Sequence, residues 1–136
     1  MTYKNPHREF LQGYITLLKN KGVSIPILTA GFDDERTEDY IYLHCMISDD
    51  SSKNTNNFDI EVYIELIAVN ATSIIPILDI ETIIMALFRS NDKPIMPSFT
   101  AESSSLVGTT NTEYLSENKR YFKEVIRGQY NINQKS

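Results

Sequence analysis

The sequence predicts an α+β fold: an antiparallel sheet with two helices packed on one face, a two-layer sandwich. Three observations carry this. In the stretch FDIEVYIELIAV (58–69), Phe58, Ile60, Val62, Ile64 and Leu66 alternate with Asp59, Glu61, Tyr63, Glu65 and Ile67. That period of two belongs to a long strand buried on one side. Two other stretches repeat their apolar residues at helical spacing, and they are separated by strand-like segments rather than alternating with single strands.

The first helix has both of its ends written in the chain. Asn5 can cap it, Pro6 suits its first turn, and Gly22 ends it. Between them Phe10, Leu11, Tyr14, Ile15, Leu17 and Leu18 make the buried stripe. Ser24 to Thr29 follows as a short extended segment. Pro26 lacks an amide hydrogen, which assigns that segment to a sheet edge. GFDDERTED reads as a charged surface loop.

Tyr40 to Ser48 (YIYLHCMIS) is the next strand. Ile41, Leu43, Cys45 and Ile47 share one face, and Tyr40, Tyr42, His44 and Met46 share the other. DDSSKNTNN is too long for a two-residue turn, so a hairpin with an extended, mobile loop is expected before the alternating strand. Thr72 or Ser73 can cap a second helix that runs to about Ser90, with Pro76 in its opening turn. Ile74, Ile75, Ile77, Leu78, Ile80, Ile83, Ile84, Met85, Leu87 and Phe88 occupy more than one stripe of it. Such a helix is either central in the core or partly covered by a partner. DKPIMP is a linker. Ser98 to Val107 and Arg120 to Ile132 form a second strand pair joined by GTTNTEYLSEN. In the last strand Phe122, Ile126, Tyr130 and Ile132 face one way, and Tyr121, Lys123, Val125 and Arg127 the other.

The 136 residues suit a single domain, 1–136, with an ordinary share of hydrophobic (41%) and charged (23%) residues that argues against disorder. One cysteine, Cys45, permits no intramolecular disulfide and fits a reducing compartment. The opening MTYKNPHREF lacks the apolar core of a secretion signal. The oiliest run, Ile74 to Phe88, contains Pro76, Asp79 and Glu81 and is shorter than the ~20 residues of a membrane span, so no membrane partner is expected. A net charge of −5 argues against a general grip on nucleic acid. Lys119, Arg120, Lys123 and Arg127 read as the solvated side of one strand.

No residue pattern in the chain calls for catalysis. Asp59, Glu61 and Glu65 could place paired acids near a substrate, but alternating charge on a wet strand face needs no such role. His44 and Cys45 are adjacent and so point to opposite faces. His7 has no second ligand at helical spacing, and neither acidic loop carries the central glycine of an EF-hand. No phosphate-cradling loop or nucleophile elbow is present. The expectation is a non-enzymatic chain without catalytic residues, cofactor or metal.

What remains is surface. The outer sheet face would present Tyr40, Tyr42, Met46, Tyr63, Ile67, Tyr121 and Val125 beside Glu61, Glu65, Lys123 and Arg127. Tyrosine, methionine and arginine are enriched at interfaces.

In its opening helix, its YIYLHCMIS strand, polar hairpin loop and FDIEVYIELIAV strand, its IPILDIETIIMALF helix and its closing KRYFKEVIRGQYNI strand, the chain resembles the tail terminator and tail-completion proteins of tailed bacteriophages, including head–tail joining proteins. The similarity is one of pattern over nearly the whole chain, with no invariant motif, and Ser98 to Asn118 departs from it in being long and serine-rich. The resemblance implies a virion structural protein, assembled in the host cytoplasm, that forms a ring (commonly six-fold) at the tail end or the neck. It implies identical neighbours and other tail or neck proteins as partners, and no sequence-specific nucleic acid. The candidate subunit interface is Tyr40, Tyr42, Asp49, Asp50, Lys53, Tyr63, Glu65, Tyr121 and Arg127. Two rival readings are a small ligand-binding module, with tyrosines and helix lining a pocket, and an enzyme using Glu61 or Glu65 with His44.

Overall fold

The computed structural model describes residues 4–30, 36–49, 57–69, 73–116 and 119–135. Its elements follow the expected order: α1 (Pro6–Asn20), β1 (Ile27–Leu28), β2 (Tyr40–Asp49), β3 (Asn57–Val69), α2 (Ile75–Arg89), β4 (Phe99–Ser116) and β5 (Lys119–Gln134). The strands form one sheet in the order β1-β2-β3-β5-β4. The fold is α+β.

Both helices are stopped by the same device. The Asn5 side chain opens α1 by accepting from the His7 and Arg8 amides. At the far end the Gly22 amide bonds the Lys19 carbonyl and the Val23 amide the Leu18 carbonyl. This is a Schellman turn, with Gly22 at φ +101°. Helix α2 repeats it, with Asn91 at φ 60° and its amide on Phe88, and with the Asp92 amide on Leu87. Asparagine tolerates that backbone better than other side chains do. A 3.2 Å ion pair, Lys21 to Asp92, ties the two helix ends together. Helix α2 begins at Ile75 rather than at a capping side chain, although the Ser73 hydroxyl accepts from the Ile75 amide; Thr72 lies outside the described residues.

Alternation places Ile41, Leu43 and Cys45 of β2, Phe58, Ile60, Val62, Ile64 and Leu66 of β3, and Ile126, Tyr130 and Ile132 of β5 on one face. Phe10, Tyr14 and Leu18 of α1 and Ile77, Ile80, Ile84 and Leu87 of α2 bury themselves against it. Phe10, Tyr14, Phe88 and Tyr130 converge where the helices meet the sheet, with neighbouring rings 5.4–5.9 Å apart. Inside that cluster the Tyr14 and Tyr130 hydroxyls are 2.9 Å apart and satisfy one another. Helix α2 fits closely because β5 has no side chain at Gly128: a Cβ there would stand 2.3 Å from Phe88 Cζ. The linker 93–98 crosses α1 at Gly13 with similar closeness and buries Met96.

Three expectations are corrected. The sheet is mixed rather than wholly antiparallel, because β1 runs parallel to β2. Parallel pairing means that β1 and β2 enter the sheet from the same end, which a hairpin would not allow. That edge segment is only Ile27–Leu28, and Pro26 contributes its carbonyl to the Ile41 amide. The segment read as the connection GTTNTEYLSEN is strand as far as Ser116, which pairs with Lys119. Gly108 marks a register shift inside a continuing strand, the place of a bulge rather than of a turn. The hairpin loop expected to be mobile lies outside the described residues from Asp50 to Asn56.

Candidate interaction surface on the open sheet face

With both helices on one face, the other face of the sheet has no layer over it from the described helices. Cross-strand register decides what meets there. Tyr42 opposes Glu65, His44 opposes Tyr63, and Met46 opposes Glu61; on the other side of β3, Arg127 opposes Tyr63 and Gln129 opposes Glu61.

This face divides into two halves. At one end Tyr40, Ile67, Val69 and Tyr121 are buried as a small second cluster, with Leu28 and Tyr42 packed on them. The chain entering β2 covers this end: Arg36 lies 5.9 Å above the Tyr40 ring, and Asp39 accepts the Val69 amide at 3.0 Å. Tyr40 and Tyr121 therefore depart from their expected place at a subunit interface. They are fully buried within the chain, because burying two aromatic rings here removes apolar area from water without a partner.

The other half is open and ordered by cross-strand contacts. The His44 ring is stacked between Tyr42 (4.4 Å) and Tyr63 (4.8 Å, nearly parallel at 6°). Its Nε2 lies 2.5 Å from Glu65 Oε2, and Lys123 holds the other oxygen of that carboxylate at 3.2 Å. Arg127 approaches Glu61 at 3.7 Å, and Asn131 donates to Asp59 at 2.9 Å. The Tyr63 hydroxyl donates to the sulfur of Met46, a residue that is itself 64% exposed. Desolvation, followed by the Glu61 carboxylate beside it, raises the Tyr63 phenol above its usual range.

Each of the three acids of β3 is thus engaged by a neighbouring strand. Tyr42, Tyr63, Glu65 and Arg127, four of the expected interface residues, come together here. Asp49 closes β2 opposite Phe58, while Asp50 and Lys53 lie outside the described residues. The basic residues do not form one side of a strand: Lys123 and Arg127 share the open face, and Arg120 has the opposite parity. A groove of about 190 Å³, lined by Met46, Ile47, Ser48, Asp59, Glu61 and Gln129, runs off the end of this surface.

Chemically, Glu65 and His44 reproduce a carboxylate-oriented imidazole, half of a general-base arrangement. No nucleophile completes it among the described contacts. Both faces of the ring are stacked, and Cys45 sits on the buried side of β2 with its thiol pushed up to about 12 by burial. Among the described residues no group of three His, Cys, Asp or Glu side chains could hold a metal ion, and no helix is long and apolar enough to cross a membrane. The pocket expected to join the outward tyrosines to the apolar helix is not formed, since the two lie on opposite faces of the sheet.

Alternation in the sequence puts His44 on this face, with Glu61 or Glu65 in reach, but gives no sign of its stack between Tyr42 and Tyr63. Its partner depends on hairpin register, which a long polar loop leaves unspecified. No protein-family model and no curated protein matches the chain.

Proposed function

We propose that the chain is a structural, non-enzymatic subunit of a tailed-phage virion. It forms a ring at the tail end or head–tail neck and meets identical neighbours through the open half of its sheet face. The observation that carries the interface reading is the cross-braced patch Tyr42–His44–Tyr63 with Met46, Glu61, Glu65, Lys123 and Arg127. Its side chains are held by one another before any partner arrives, so docking costs little further side-chain entropy. Its aromatic, methionine and arginine content matches interface cores, and its paired charges would set register between subunits. Helix α2 adds a second apolar area, with Ile75 and Leu78 left exposed after its core face is buried. The phage assignment is supported by the order of elements, which is the order on which the resemblance rests.

The test is mass in solution together with negative-stain images. A closed ring is expected, and Tyr63→Ala combined with Met46→Asp should yield folded monomers. A native monomer at high concentration in the presence of tail or neck fractions would refute the reading.

One observation favours a second reading, an enzyme: the close His44–Glu65 contact. A turnover abolished by His44→Ala and by Glu65→Gln in folded protein would establish it.

A further inference from the structure

The inner face of β5 carries one residue that does not belong in an apolar layer. Glu124 is 4% exposed, beneath α2, and its Oε1 has no hydrogen-bond partner. Burying an ionised carboxylate without a counter-ion is costly, and a carboxyl so placed keeps its proton instead. Among the described residues no ion pair reaches it. Across the sheet β3 presents Leu66 and β4 presents Asn111. From above, α2 presents Glu81, a second acid, which hydrogen-bonds the protonated form and repels the ionised one. Arg89, in the last turn of α2, lines the same cavity of about 330 Å³ as Glu81 but makes no ion pair with Glu124.

We propose that Glu81 and Glu124 form a proton latch, in which one proton held between the two carboxyls fastens α2 to the sheet and its loss loosens the helix. The geometry supplies two parts such a latch needs: a buried acid with an unpartnered oxygen on the sheet, and a facing acid on the helix packed over it, with a cavity alongside Glu81. Burial first, and Glu81 second, raise the Glu124 carboxyl from 4.5 to about 8. An acid raised in the packed state stabilises packing fully below its ordinary value, and this contribution is lost as pH rises through the raised value. The latch is therefore closed in acid and weakens through neutrality. Above about pH 8 it contributes nothing. This device is independent of the open sheet face and of any assembly made there.

Carbon-13 NMR of glutamate-labelled protein, with amide exchange of α2 corrected for intrinsic rates, tests it. Glu124 is expected to titrate near pH 8, and α2 opening should increase about tenfold per pH unit between roughly pH 5 and 8 before levelling off. Glu124→Gln, which keeps the shape and removes the proton, should make α2 opening insensitive to pH. Glu81→Gln should lower the Glu124 midpoint. A Glu124 that titrates as an ordinary glutamate, or α2 protection that ignores its titration, would overturn the latch. So would calcium alone, at millimolar concentration and pH 7, displacing the proton, for the pair would then be a cation site.

Discussion

Strand β2 carries on its two faces a matched pair of side chains that ought to behave in opposite ways. Leu43 is fully buried, opposite Ile64 and under the helices, whereas Met46 is 64% exposed on the open face. Leu43→Ala removes three buried carbons. Transfer alone is worth about 2 kcal/mol, and the cavity left in a sheet covered by two helices adds to it, for a total of about 3 kcal/mol within a range of roughly 2–5. A domain of this size holds about 5–15 kcal/mol in all. With a urea slope of about 1.5 kcal/mol per molar, the midpoint should fall by about 2 M. Met46→Ala deletes a comparable volume from the surface and should move stability by no more than about 0.5 kcal/mol. Its effect should appear in light scattering, as a loss of association. Equal shifts in the two urea curves, or a Met46→Ala variant that is unstable yet still assembles, would refute the assignment of faces.

Other consequences are as direct. Gly128→Ala brings a Cβ within 2.3 Å of Phe88 Cζ and should cost about 1–3 kcal/mol in thermal denaturation, recovered in part by Phe88→Leu in the same chain. Tyr14→Phe leaves the buried Tyr130 hydroxyl unpaired and should cost about 1–3 kcal/mol, while the double variant with Tyr130→Phe should cost less than the sum of the singles, measured by a urea double-mutant cycle. Cys45, with its thiol raised to about 12, should resist a thiol reagent at pH 8 until urea unfolds the protein.

Much of this fold is legible in local pattern. The period of two fixes which residues of β3 are buried from Phe58 to Leu66, though not that Ile67 and Val69 are buried as well, and Asn5, Pro6 and Gly22 frame α1 to within a residue. What escaped depends on partners distant in the chain. The direction of β1 shows only in its pairing with β2, which has no local sign, and Gly108 looks like a terminator until β5 is seen to pair on both sides of it. Tyr40 and Tyr121 have the composition of an interface but are buried in one cluster with Ile67 and Val69, with Leu28 packed against it and Arg36 over Tyr40, an effect of tertiary packing with no local sign. That His44 meets Glu65 rather than Glu61 needs the register of a hairpin whose loop is long and polar. Glu124 did carry a signal, an acid at an inward position of an alternating strand, between Phe122 and Ile126. Its counterpart Glu81 could be found only from the way α2 lies across β5.

The central claim, that the open half of the sheet face is where copies of this chain meet, is tested most directly by hydrogen exchange on free and assembled protein. Protection is expected to rise on assembly at Tyr42 to Met46 and Glu61 to Glu65, and to stay unchanged at the covered end around Tyr40 and Tyr121. Association without added protection at Tyr42–Met46 or Glu61–Glu65 would contradict it.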